Sequence, residues 1–298
     1  MKVLTLSFGV LFALSSIAHA ELDTVTYVDV SGGVANDAGH IPDGRVEGDT
    51  SGVGEVTLFD IEGGDMWNGG DQFIYLHDNT QHSLDWTATV RVVSQTEAVD
   101  GRWGKAGIHA RNSLDPNAAN AMAQLATGNR SQLDNPGTGE HSPVPVRIGG
   151  RTQNDGQGGF EIAIPAAPGT EQDVNANNEI ANNTFQATGT VPTWLSLSYT
   201  AATNEFVAGT AIDVGGAPGI WSYSPPVSNV PADGDGWYVG LAYSAHSDLA
   251  PVDPTAPYHG ITFDNFSLSV IPEPSSIGLI LVGALGMLGW GLRRRRRR

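Results

Sequence analysis

An all-β fold, an antiparallel sandwich of two sheets, is what this sequence predicts, and three observations carry the prediction. Hydrophobic residues recur with period 2 in short runs, as they do when alternate side chains of a strand face a core. Turn-forming groups separate those runs: Asp100-Gly101, Asn154-Asp155-Gly156, Gly215-Gly216 and Asp233-Gly234-Asp235-Gly236. Convincing 3.6-residue periodicity is almost absent between residues 21 and 271. With no internal repeat and no linker rich in Pro or Ser, that acidic stretch reads as one large domain.

The first element is an address. Lys2, the mainly apolar run Val3 to Ile17 and Ala18-His19-Ala20 form the three parts of a signal peptide, residues 1–20. The cut is expected between Ala20 and Glu21.

The strands follow in order. Asp71 to His77 is one, with Phe73, Tyr75 and His77 on one face and Ile74 and Leu76 on the other. Leu84 to Val93 is a second, with Trp86, Ala88, Val90 and Val92 opposite Thr87, Thr89 and Arg91. In the third, Lys105 to Arg111, alternation sends Lys105, His109 and Arg111 to the side of the preceding Trp103. Ala106, Ile108 and Ala110 go to the core side. Trp194 to Tyr199, Asn204 to Ala211, Gly236 to Ala245 and Gly260 to Val270 complete the clear set. Ile74, Leu76, Val90, Ile108, Leu195, Leu197, Val239 and Leu241 are the predicted core. Residues 112–190 are crowded with Asn, Gly, Ala and Pro. Apart from Ala119 to Ala126 and Val144 to Ile148 they show little hydrophobic pattern, and they read as surface decoration or a functional rim.

The last element, residues 272–298, is again an address. Pro272-Glu273-Pro274 is followed by Ser275-Ser276, an apolar stretch from Ile277 to Leu292, and six arginines, Arg293 to Arg298. The apolar part falls short of the roughly 20 residues that span a bilayer comfortably. The arginines hold the end on the cytoplasmic side and leave the bulk of the chain outside. Pro-Glu-Pro cannot continue a helix and makes an extended hinge that a protease can enter. This tail resembles the PEP-CTERM sorting signal. The resemblance implies a Gram-negative envelope and a transient stay in the inner membrane as a short transmembrane helix. It further implies cleavage by an exosortase-type protease and release to the cell surface or extracellular matrix.

Charge narrows the function further. Residues 21–271 hold 8 basic and 31 acidic residues, a formal charge of 8 − 31 = −23. That sign excludes nucleic acid as a partner. The chain has no cysteine, hence no disulfide, thiolate metal site or cysteine nucleophile. No Gly-x-Ser-x-Gly, ordered triad or His-Glu-x-x-His occurs. Asp233-Gly234-Asp235-Gly236 and Asp60/Glu62/Asp65 are oxygen-rich turns, yet neither completes an EF-hand loop. No cofactor is expected, and structural calcium stays open.

Six segments in order, GGDMWNGGDQFIYLHD, WTATVRVVSQ, RWGKAGIHARNS, WLSLSYTAATNEFVAG, WYVGLAYSAHS and ITFDNFSLSV, resemble the concanavalin A-like lectin/glucanase superfamily. The resemblance spans roughly Asp60 to Val270. It implies a jelly-roll-like sandwich with a concave face that often holds glycans. Retaining glucanases of that superfamily carry Glu-x-Asp-x-Glu along one strand, so that period 2 puts the carboxylates on one face. Here Leu58-Phe59-Asp60-Ile61-Glu62 matches the last two positions, and Leu58 stands where the nucleophile belongs. A non-catalytic protein that binds, or takes a structural part in, extracellular polysaccharide is therefore expected, with a glycoside hydrolase as the alternative. The face of Tyr75, His77, Trp103, Lys105, His109 and Arg111 is the candidate site, because rings stack on sugar C–H faces while Arg, His and Asp bond hydroxyls.

Overall fold

Alternation sets the strands where the periodicity places them. In a computed structural model of the chain, residues 22, 24–29, 45–51, 53–60, 72–95, 105–126, 146–154, 158–164, 192–232, 235–244 and 259–271 are described. The signal peptide, Trp103, Glu62, Asp65 and residues 272–298 lie outside them. The described residues form β1 (Thr24–Asp29), β2 (Arg45–Gly48), β3 (Val56–Asp60), β4 (Gln72–His77), β5 (Trp86–Gln95), β6 (Lys105–Arg111), β7 (Asn120–Ala126) and β8 (Val146–Arg151). Then come β9 (Gly159–Ala163), β10 (Thr193–Thr200), β11 (Glu205–Val214), β12 (Ala217–Tyr223), β13 (Val227–Ser228), β14 (Tyr238–Ser244) and β15 (His259–Val270).

Two antiparallel sheets result. One has seven strands in the order β1-β4-β14-β6-β7-β8-β9; the other runs β12-β11-β10-β5-β15-β3-β2, with β13 added to β11. The crossovers between sheets leave consecutive strands apart, as in a sandwich. All eight predicted core residues are buried, each at most 1 % exposed. Ile74, Leu76, Ile108, Val239 and Leu241 come from the seven-stranded sheet and meet Val90, Leu195 and Leu197 from the other. Trp86, Tyr199, Phe206 and Trp237 extend this core as a ring cluster, with neighbouring centroids 4.8–6.0 Å apart. Full burial of such side chains contributes about 1.5–3 kcal/mol each.

The Phe263-Asp264-Asn265 sequence marks a bulge. Register between β15 and β5 shifts from Asp264 to Ser267, and Asn265 takes φ +52°. The extra residues let both Phe263 and Phe266 enter the core, while Asp264 turns to Arg91 on the outer face.

The 112–190 stretch is more structured than decoration. It supplies β7, β8 and β9, three strands of the seven-stranded sheet. Ala119, Ala121 and Ala123 face the core there together with Leu125, Val146 and Ile148. Small residues on the inward face explain why the hydrophobic pattern looked sparse.

Candidate carbohydrate-binding face

The register of the seven-stranded sheet brings the predicted side chains onto its outer face. His77 pairs with Gly240, which pairs with His109, which pairs with Met122; Tyr75 follows the same path through Ala242 and Gly107 to Gln124 and Arg147. Arg111 lines up with Tyr238, Asn120 and Arg151, and Lys105 with Ser244. Five of the six expected residues thus share a face, opposite Ile74, Leu76 and Ile108; Trp103 lies outside the described residues.

Small residues make room for the large ones. A Cβ on Gly240 would sit 2.2 Å from the Leu76 carbonyl oxygen and 2.7 Å from the His77 Cβ. The strand β14 therefore lies close enough for rings from β4 to lean across it. Tyr75 does so: its hydroxyl lies 2.9 Å from the carbonyl oxygens of both His109 and Tyr238, which share its single proton. Its ring stacks on His77 at 4.7 Å, and Phe73 sits 5.2 Å from the His109 ring. Phe73, Tyr75, Met122 and Ala242 form a second, smaller apolar cluster with Leu114 and Tyr238 packed against it. Burial drives the Tyr75 phenol well above its ordinary pKa, against the pull of the Arg111 charge, so it remains a donor.

The cations are the notable part. Lys105, Arg111, Arg147 and Arg151 are four of the eight basic residues between 21 and 271, collected on one face of a strongly acidic domain. Arg111 lies over the Phe73 ring at 5.1 Å and donates to the Ser113 and Asp115 carbonyls. Arg151 donates to the Ala118 carbonyl at 2.9 Å. Both therefore brace the β6–β7 turn. Arg147 pairs with Glu161, whose other oxygen accepts from the Gln124 amide at 2.9 Å. Tyr75, His77, His109, Arg111 and Arg151 have no solvent-facing surface, whereas Lys105 is 7 % and Arg147 8 % exposed. The face is a buried floor with two cations at its surface.

Arg147, Arg151, Gln124 and Asn120 escaped the sequence reading because they lie in the Gly/Ala-rich stretch. The signal was Arg147-Ile148-Gly149-Gly150-Arg151, whose alternation puts both arginines on one side.

The hydrolase motif lands elsewhere. β3 lies in the eight-stranded sheet, and Leu58 is fully buried in the core. Among the described residues no three His, Asp or Glu side chains group to hold a metal.

The comparisons with known proteins come from two sides. Residues 270–297 match the family model of the PEP-CTERM protein-sorting motif. No curated protein sequence matches the chain. Among solved structures, the chain is similar to the exoplasmic/lumenal domain of VIP36 in its Ca2+/Man3GlcNAc-bound form, at 14% identity and TM-score 0.36 over 85% of this chain and 92% of that one. It is similar to basic winged bean lectin with Tn-antigen, at 11% identity and TM-score 0.40 over 78% and 92%. The endo-1,3-beta-glucanase from Streptomyces sioyaensis gives 11% identity and TM-score 0.40 over 84% and 89%. The protein thus carries a PEP-CTERM protein-sorting motif, a signal for export to the cell envelope or extracellular space, behind a two-sheet antiparallel β-sandwich.

Proposed function

We propose that the exported domain binds an acidic polysaccharide without cleaving it, through the outer face of the seven-stranded sheet. The observation that carries this reading is the gathering of Lys105, Arg111, Arg147 and Arg151 beside Phe73, Tyr75 and Tyr238. A domain charge of −23 repels polyanions at long range, but screening over about 8–10 Å makes the local cations decide contact. In this reading Tyr75, His77, His109 and Arg111 set the floor's shape and potential. Lys105, Arg147 and Gln124 meet the carboxylates and hydroxyls, and Trp103 precedes the same strand. Binding rather than cleavage is supported by Leu58, a buried aliphatic where a nucleophile would stand.

Sorting completes the proposal. A signal peptidase cuts between Ala20 and Glu21, and the chain rests in the inner membrane by residues 277–292. An exosortase-type protease then releases it near Pro272-Glu273-Pro274 to the cell surface or matrix. The last strand ends at Val270, two residues before that motif, which supports a cut outside the folded sandwich. Affinity electrophoresis of purified protein in gels containing acidic or neutral polysaccharide tests the binding: retardation by the acidic polymer, lost in Lys105→Ala/Arg147→Ala, is expected. No retardation in any acidic gel would remove the proposal.

A further inference from the structure

We infer that the outer face of the eight-stranded sheet is a second carbohydrate surface, built on Trp221 and Tyr223, for a neutral, flat pyranose chain. This goes beyond the acidic-polysaccharide reading and rests on none of its residues.

Trp221 and Tyr223 are two apart on β12, so they share a side. The register carries that side across the sheet: Trp221 to Ala211 to Trp194 to Arg91, and Tyr223 to Gly209 to Ser196 to Thr89. These residues lie opposite the Leu195 and Val90 core positions and so face away from the other sheet. The two rings are nearly parallel, 20° between planes with centroids 6.2 Å apart. Tyr223 does not stand up from the sheet. A Cβ on Gly209 would sit 2.8 Å from two of its ring carbons, so the ring lies down over the glycine of the neighbouring strand. Tyr223 keeps 53 % exposure. The exposed Tyr223 ring beside the half-buried Trp221 offers an aromatic platform on which sugar C–H faces stack.

Beyond the platform the sheet offers hydroxyls. Ser196, Thr89 and Ser267 form one row across β10, β5 and β15, and Ser198, Thr87 and Ser269 form the next. Thr87 and Ser198 already bond each other at 3.0 Å, but Ser196 Oγ, 4 % exposed beside the platform, has no hydrogen-bond partner among the described residues. A buried hydroxyl without a partner is destabilising, and a bridging sugar hydroxyl or water would satisfy it.

Charge chooses the ligand. Beside the rings Arg91 faces two carboxylates, Asp264 and Asp213, and among the described residues that local balance of one cation against two anions does not attract a polyanion. A neutral chain fits; an acidic one does not. Pro218 removes a backbone donor from β12, which ends the sheet among the described residues, and so disfavours pairing with a second copy.

Pull-down of the purified protein with cellulose, insoluble β-1,3-glucan and chitin tests the inference. Retention on at least one, unaffected by high salt, is expected, with loss of about tenfold in Tyr223→Ala and of all measurable binding in Trp221→Ala/Tyr223→Ala. Tyr223→Phe keeps the ring and keeps binding, and excess acidic oligosaccharide does not compete, which separates this surface from the cationic one. Should Trp221→Ala disturb folding, Tyr223→Ala alone decides, since that side chain is half in solvent. Absence of retention on all three polymers, retention unchanged in Tyr223→Ala, or a wild-type dimer by light scattering that Tyr223→Ala dissolves would each overturn it, the last in favour of self-association.

Discussion

Arg91 is gripped from two strands at once. Its Nε donates to Asp264 at 2.8 Å, a second nitrogen pairs with the same carboxylate, and Nη1 lies 3.6 Å from Asp213. The Asp264 hydrogen bonds raise the guanidinium pKa further above its already high value, against partial burial. Burial of Asp213 disfavours its charge. Hydrogen bonds from Trp194 Nε1 (2.8 Å) and the Gly216 amide (3.1 Å), with the Arg91 charge, outweigh it and hold the carboxyl below its usual range. A lowered folded pKa contributes stability above the ordinary value and loses it as pH falls through the folded one. Asp213→Asn should therefore lower the urea midpoint at neutral pH, and the gap to wild type should close as pH drops below 3.8. A gap that widens in acid would contradict this sign. Asp264→Ala, which strands Arg91 on β5, should cost about 2–3 kcal/mol in the same assay, since hydrogen bonds to charged groups carry that much. At this scale the sequence was legible where residue type and alternation agree, as for His109 and Arg111. It was silent on the Arg91 clamp, because only the β15 bulge brings Asp264 to it.

Strands rather than side chains decide how much of the cationic face was readable. β4, β5, β6, β10, β14 and β15 announce themselves through Val, Ile, Leu and aromatic residues at alternate positions. β7 and β8 bury alanines and glycines instead, so their period is real but their hydrophobic contrast is low. β12 contains Pro218 and Gly219 and follows the Gly215-Gly216 turn without a clear alternation, and its pairing with β11 makes it a strand. Half of the cations on the face, Arg147 and Arg151, ride on β8, and so half of that set was hidden. The close approach of β4 and β14 yields a test at this scale. Gly240→Ala places a Cβ against backbone atoms of Leu76 and His77, which must shift, and should destabilise by about 1–3 kcal/mol. Equal melting of variant and wild type would show that the strands have slack between them.

Over the whole molecule, a sandwich whose sheets carry different outer faces precedes a C-terminal sorting motif. One gathers four cations over a buried aromatic floor; the other carries rows of hydroxyls with the half-buried Trp221 and the exposed Tyr223 at one edge. Intact-mass spectrometry of the surface fraction should find a species that begins at Glu21 and lacks Arg293 to Arg298. A surface species that retains the arginines would refute release at Pro272-Glu273-Pro274. The central claim is that the cationic face holds acidic polysaccharide and leaves it whole. Isothermal titration of purified protein with an acidic oligosaccharide, followed by an assay of the recovered sugar for new chain ends, tests it most directly. A weak dissociation constant on the order of 0.1–1 mM is predicted, together with loosening in added salt. A further loss of about tenfold in Lys105→Ala/Arg147→Ala and an unchanged sugar length should accompany it. Binding indifferent to both substitutions, or shortened sugar, would contradict it.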